Sequence, residues 1–326
     1  MNLVESFHLL QVPRTSNHNL FNAITLIDFP FAKVGVNSEG LPVVLISPVD
    51  DSIFILQKNI RLKYLELTHN LECKVSEMNN TQLQTFTVIL FRSNEESLQH
   101  YFLGIAEILI KSLSTKPTQK EIVQAFGNFV EIFRTLSDPP TNTLQGLWAE
   151  LFVIEMANHP SDLLNYWHIK PDEKFDFNAD AEKIEVKSSS TLDRIHTFSS
   201  EQLNPPNDTQ VLIASTFVRQ HSDGKSIQQL VDSITAKIQN HIDLTGKLNG
   251  IICKTLGSSL EQSISIKYDY NVAKGSLRYY RHQDIVKIEE VHIPSQISEV
   301  RYKSDLTNLK PVIPHNISSG RLYCAI

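Results

Sequence analysis

Lys174-Phe175-Asp176-Phe177-Asn178, followed by Ala179-Asp180-Ala181-Glu182 and then Lys183-Ile184-Glu185-Val186-Lys187-Ser188, reads as a β-hairpin. Successive side chains of a strand point to opposite faces. Phe175 and Phe177 therefore share one face, and Asp176 takes the other. Ile184 and Val186 likewise share a face, with Glu185 and Lys187 opposite them. With residues 179–182 as the connecting loop, Asp176 falls directly across from Glu185, their Cβ atoms roughly 5 Å apart. Two carboxylates and a lysine converge on one side, and four apolar residues cover the other.

Such a convergence is costly without a ligand. Carboxylates this close repel, and one tends to take up a proton. A hard divalent cation removes the repulsion, and Mg²⁺ commonly sits on one or two carboxylates together with water and phosphate oxygens. A lysine beside it could orient an attacking water or stabilise charge on a phosphate. These parts suffice to hydrolyse a phosphodiester. The competing reading is a solvated hairpin face on which Glu185 and Lys187 merely pair with neighbouring charges.

Upstream, residues 143–158 read as a helix whose main apolar stripe is Leu144, Leu147, Trp148, Leu151 and Ile154. Glu150 lies on a neighbouring strip with Gly146, Val153 and Ala157, three to seven residues away. That strip is small and apolar, so it can approach another element closely. A carboxylate there needs a partner, and a metal site is one.

Working outward, residues 31–91 look strand-rich. Candidate strands are Phe31–Val36, Leu41–Ile46, Ile53–Leu56, Leu62–Leu67 and Phe86–Phe91. A helix is expected over 95–113. Ser114-Thr115-Lys116-Pro117-Thr118 is a polar break and the expected boundary between a β-rich lobe, 1–115, and a core, 116–326. A second helix, 119–137, carries Ile122, Phe126, Phe129 and Phe133 on one stripe, is capped by Thr118 and stops at Asp138-Pro139-Pro140. Beyond the hairpin, strands are expected near 211–218, 249–254, 263–271 and 276–282, with a helix at 225–243. The order implies an α/β core with a mixed central sheet flanked by helices.

Composition narrows the class. The chain has 326 residues, 41% hydrophobic and 20% charged, which suits an ordinary globular protein with a sizeable core. Its net charge of −6 is not that of a non-specific nucleic-acid coat protein, though a site needing carboxylates for metal tolerates it. Cys73, Cys253 and Cys324 form no paired motif, which argues against a disulfide framework or zinc site. No membrane span and no signal peptide are read, so a cytoplasmic protein is expected. The histidines His168, His196, His221 and His241 lack zinc-ligand spacing, and no phosphate-binding Walker loop is present. Lys274–His282 interleaves basic and aromatic residues, which suits a nucleic-acid contact; a strand with its own core face predicts the same pattern and is the preferred reading.

Asp-x(8)-Glu-x-Lys after a Glu-bearing helix resembles the PD-(D/E)XK nuclease superfamily. More narrowly, Gly146-Leu147-Trp148-Ala149-Glu150-Leu151, Phe175-Asp176-Phe177, Glu185-Val186-Lys187-Ser188-Ser189, Arg194-x-His196 and Gln202-Leu203 resemble a PD-(D/E)XK family encoded in bacterial restriction-type defence islands. Phe175 stands where the superfamily name has proline. The resemblance implies a restriction-endonuclease-like fold, Asp176, Glu185 and Lys187 as catalytic residues and Glu150 as the helix acid. The expected metal ligands are Asp176, Glu185 and the backbone carbonyl of Val186, with Mg²⁺ or Mn²⁺ as cofactor. Arg194, His196 and Gln202 are candidates for substrate contact, because Arg forms bidentate phosphate contacts. The expected partner is DNA, joined by a methyltransferase or an ATP-driven translocase, or by a second copy of the chain. The competing function is a non-cleaving DNA-binding or assembly subunit that retains the fold.

Overall fold

The computed structural model describes residues 3–14, 20–47, 59–77, 80–135, 143–168, 173–238 and 241–326. The expected strand at 53–56 and the stop at 138–140 lie outside them. The chain divides into two units, Met1–Thr141 with Leu256–Glu261, and Asn142–Thr255 with Gln262–Ile326.

The first unit begins with a short helix, α1 (Leu3–His8), and continues into strands. These are β1 (Leu20–Leu26), β2 (Phe29–Val36), β3 (Pro42–Ile46), β4 (Ile60–Arg61), β5 (Leu65–Glu77) and β6 (Asn80–Phe91). Their order is β1-β2-β3-β6-β5-β4, and β1 also pairs with β5 in parallel, which closes a ring of five strands. The ladder of β5 breaks between Thr68 and Leu71, where Asn70 takes φ 52°. That bulge lets one end of β5 pair with β4 and the other with β1. Phe21, Ala23, Val43, Leu45, Cys73, Val75, Phe86 and Val88 pack together as the barrel core. They recur at every second position, as strand geometry requires.

Phe91, on the other face of β6, stacks on Phe102 with ring centroids 4.8 Å apart. Phe102 belongs to α2 (Glu96–Ser112), and both rings meet Phe133 of α3 (Gln119–Thr135) edge-on. Removing one such ring costs about 3–5 kcal/mol. Thr118 caps α3 reciprocally with Glu121. This aromatic stack is why the contacts divide the chain after residue 141, where the polar break suggested 115: α3 buries its stripe in the first unit.

The second unit runs through α4 (Leu144–Met156), α5 (Pro160–Tyr166), β7 (Phe177–Ala179), β8 (Glu182–Ser189), β9 (Ile195–Ser199), α6 (Ser200–Leu203), β10 (Gln210–Phe217), β11 (Gln220–Ser226) and α7 (Ile227–Lys237). It continues with α8 (Ile242–Leu256), α9 (Leu260–Ser263), β12 (Lys267–Tyr268), α10 (Tyr270–Ser276), β13 (Arg278–Arg281), β14 (Arg301–Asp305) and α11 (Arg321–Ala325), with the last residue of α8 and the first two of α9 counting with the first unit. The central sheet has the order β13-β10-β8-β7, with β8 and β10 parallel and the two outer pairings antiparallel. It is therefore mixed, with helices packed on it, as expected of a restriction-endonuclease-like core. Among the described residues no helix is long and apolar enough to cross a membrane.

Helix α4 lies against β8 and is buried on all sides from Leu147 to Glu155. A helix apolar all round is a core helix. Thr143 Oγ1 caps it by accepting from the Gly146 N–H, 3.1 Å away. The lower end of β8 is fixed by α11. Glu182 Oε2 accepts from the Leu322 and Tyr323 N–H groups, and Tyr323 Oη donates to the Gln210 carbonyl on β10. A Cβ at Gly320 would lie 2.2 Å from the Glu182 carboxyl, so this approach requires glycine.

Two expected strands differ. Residues 249–254 belong to helix α8, where Leu248, Ile252 and Cys253 are buried with helical spacing. A short apolar run cannot distinguish a strand from a buried helix by period alone. Residues 263–271 break into the end of α9, the two-residue β12 and the start of α10, which Asp269 caps.

Candidate active site

The hairpin forms with Phe177 opposite Ile184 and Ala179 opposite Glu182, so the connecting turn is Asp180-Ala181 alone. Asp180 takes φ 45°, a conformation Asp tolerates better than most residues. Extending this register places Asp176 across from Glu185. Residues 174–176 form a bend rather than a strand, and this separates the two phenylalanines that alternation had put together. Phe177 pairs with Ile184, whereas Phe175 packs with Phe198, Val211, Ile213 and Tyr280. Ile213 stands beside Glu185 across the sheet, so Phe175 supports the carboxylate face.

Asp176 is held at two points. Its Oδ2 accepts from the Val186 N–H at 2.7 Å, and its carbonyl accepts from the His168 N–H at 3.1 Å. Val186 lies between Glu185 and Lys187, so the aspartate is fastened to the middle of β8. Trp167, just after α5, bridges to Phe177, which brings His168 back beside Asp176. His168 adopts φ 42°, a strained left-handed conformation for a residue with a side chain.

Glu150 comes down from α4 into the same place and is 6% exposed. Its Oε2 accepts from Trp167 Nε1 at 2.8 Å and lies 2.8 Å from His168 Nε2. Ligand atoms of Glu150, His168 and Asp176 all lie within 4.8 Å of one another. Glu185, buried beside them, is engaged differently: its Oε1 lies 2.6 Å from Lys187 Nζ. Lys187 also faces the Phe198 ring at 5.3 Å and Gln202 Oε1 at 3.4 Å. Gln145 Nε2 donates to Ser188 Oγ at 3.0 Å and ties the start of α4 to the end of this strand.

Electrostatics mark the cluster as under-neutralised. Burial raises the Asp176 carboxyl well above its ordinary range, and the charges of Glu150 and Glu185 push the same way against the Val186 N–H and Lys187. Burial raises Glu185 too, opposed first by Lys187. Two carboxylates and an imidazole pointing into one space, with the aspartate held unfavourably charged, fit a divalent cation.

Of the three residues expected to touch substrate, only Gln202 borders the site. It caps α6 with Ser199, and its Nε2 donates to the Lys174 carbonyl. Arg194 is 7% exposed and its guanidinium is spent inside the fold. Nη1 donates to Ser215 Oγ and to the Ser215 carbonyl, Nη2 donates to the Ser276 carbonyl, and the group lies 4.5 Å over Phe217. His196 is buried, with Nε2 2.8 Å from Ser215 Oγ; burial, then Lys187 and Arg194, lowers its pKa to about 4. Ser215 neighbours Lys187 across the β8–β10 ladder, so Arg194 and His196 buttress the lysine from inside the sheet. They are not placed to grip a phosphate, because desolvated donors already paired inside the protein are not free for a ligand. His168 is the residue that sequence spacing missed. Its approach depends on the chain returning between residues 168 and 176, which no periodicity reports.

A mixed sheet carrying Glu185-x-Lys187, with Asp176 at the entry to its hairpin and a helix acid beside them, defines a protein of the PD-(D/E)XK class. The family described as "Putative PD-(D/E)XK family member (DUF4420)" matches residues 10–307, and the chain belongs to this family. Neither a curated protein nor a solved structure matches it.

Proposed function

We propose that this chain is a metal-dependent DNA endonuclease that hydrolyses phosphodiester bonds, acting in restriction or phage defence. The observation that supports it best is the bond from the Val186 N–H to Asp176, which joins the aspartate to the Glu185-x-Lys187 strand. A bound Mg²⁺ or Mn²⁺ supplies Lewis-acid polarisation of a phosphoryl oxygen and acidifies water. Asp176 and Glu150 would hold the cation, with Glu185 on its flank. Lys187, compact and positively charged, orients the attacking water and stabilises charge growing on the phosphoryl group. Glu185 and Gln202 keep the lysine at its post.

Partners extend the proposal. The net charge of −6 and the missing nucleotide loop favour a chain that works with a methyltransferase or an ATP-driven translocase. The N-terminal barrel is then available for substrate recognition. The test is incubation of purified protein with unmodified and modified duplex DNAs and Mg²⁺ or Mn²⁺, beside Lys187→Ala. Cleavage that needs metal and is lost in the variant is the expected result. Metal-dependent cleavage unchanged in Lys187→Ala would overturn the assignment.

A further inference from the structure

We infer that His168 is a nitrogen ligand to the cation held by Glu150 and Asp176, making a mixed nitrogen–oxygen site that favours a first-row transition ion over Mg²⁺. The inference rests on the metal-site reading above and deepens it by naming the kind of cofactor. His168 Nε2, a Glu150 oxygen and an Asp176 oxygen all lie within 4.8 Å of one another. Ligands around a small divalent ion stand about 2.0–2.3 Å from it, so three donors this close converge with little movement.

His168 is set there deliberately by the chain. Its backbone N–H is bonded to the Asp176 carbonyl, the preceding Trp167 donates to Glu150, and its own φ is 42°. Such a conformation is unfavourable for a residue with a side chain and persists where the surroundings enforce it. A solvated surface histidine would need none of these restraints.

The chemistry then decides the ion. Mg²⁺ demands oxygen ligands and gives up its water reluctantly. Imidazole donates well to first-row transition ions, whose affinities rise along the series from Mn²⁺ to Cu²⁺. Replacing one oxygen donor by His168 therefore tilts the site away from Mg²⁺. Trp167 acts one step behind, holding the Glu150 carboxylate beside the imidazole.

The experiment is titration of metal-free protein with Mn²⁺ and, separately, Mg²⁺ by calorimetry, for wild type, His168→Asn and Asp176→Ala. Asparagine tolerates the left-handed backbone, so His168→Asn removes the imidazole while keeping the chain path. We expect wild type to bind Mn²⁺ tighter than Mg²⁺. We expect His168→Asn to lose at least about tenfold in Mn²⁺ affinity, the scale of a lost metal-site group, and much less for Mg²⁺. Electron spin-echo spectra of Mn²⁺ on the wild type should show nitrogen modulation, a readout that needs no variant. Unchanged Mn²⁺ affinity in His168→Asn, or loaded wild type without nitrogen modulation, overturns the role of His168. Mn²⁺ affinity that survives Asp176→Ala overturns the metal site itself.

Discussion

Asp176 reaches across the hairpin to the backbone N–H of Val186, 2.7 Å away, and so interrupts the alternation of Glu185 and Lys187 with a third charged group. The bond fixes the carboxylate but does not neutralise it. Burial and the nearby charges of Glu150 and Glu185 raise its pKa above the ordinary carboxylate range. A raised carboxyl contributes stability that is complete below the unfolded pKa and is lost as pH rises through the folded pKa.

Asp176→Asn should therefore raise the melting temperature of the metal-free protein while abolishing cation binding. Asparagine keeps an oxygen for the Val186 N–H and removes the charge. The gap in melting temperature between variant and wild type should open from about pH 4 upward, the ordinary carboxyl range. Thermal unfolding in chelator across pH checks this. A variant less stable than wild type at neutral pH would mean that the carboxylate is already neutralised within the protein.

Lys187→Ala should leave DNA binding nearly intact, cost some stability because the buried Glu185 loses its closest donor, and lower cleavage by at least about a hundredfold, the scale of losing a positioned charge-stabilising group. Lys187→Arg should also fail, because a planar guanidinium cannot replace a compact ammonium beside Glu185. Single-turnover cleavage and binding, measured at matched stability, separate the two effects.

Trp167→Phe should keep the ring in the core and delete one hydrogen bond to Glu150. Leaving a buried carboxylate short of a donor costs roughly 1–3 kcal/mol. Mn²⁺ affinity should fall about tenfold, the usual result of losing a group that orients a ligand. Calorimetry that finds full affinity would show that the indole only packs.

Arg194→Lys should destabilise the fold and leave the salt dependence of DNA binding unchanged. A lysine cannot reach Ser215 and Ser276 together in the planar geometry of the guanidinium. We expect a loss of about 2 kcal/mol or more from the stranded buried acceptors. A shallower salt slope would instead mark Arg194 as a phosphate contact.

His196 should lower stability in acid. Its pKa is about 4 in the fold, against an ordinary 6.5, because burial and the charges of Lys187 and Arg194 oppose protonation. The unfolded chain binds the extra proton first, so stability is complete above the unfolded pKa and falls as pH drops from about 6.5 to about 4. The loss is on the order of 3 kcal/mol. His196→Gln should flatten this slope in chelator, as melting temperatures between pH 7 and 4 would show.

Sequence periodicity reached most of the site because the site sits on a strand. Glu185 and Lys187 share a face by covalent geometry, and a short loop puts Asp176 opposite without tertiary information. Glu150 was readable because a carboxylate on a small apolar strip needs a partner. Periodicity carries no information where three-dimensional return decides the outcome. Phe175 lies two residues before the start of the strand, so alternation no longer governs it. Arg194 looked like a phosphate ligand because its type suits one, whereas burial against Phe217 and Ser215 decides its use. The apolar run at 249–254 has no period of its own and took the helical form that its neighbours impose.

Helix α4 is enclosed on every side from Leu147 to Glu155, and Glu150 is mounted on it. An active-site group on a loop can drift as surrounding sequence changes, with activity adjusting by degrees. Here the acid has no such slack, because a methylene lost at Leu147 or Leu151 shifts the same rigid rod that aims it. Mutational scanning should therefore find inactive yet soluble variants among residues that never touch substrate. Over evolutionary time this helix is where drift in the core and loss of activity become a single event, which would keep its sequence narrower than the chemistry alone demands.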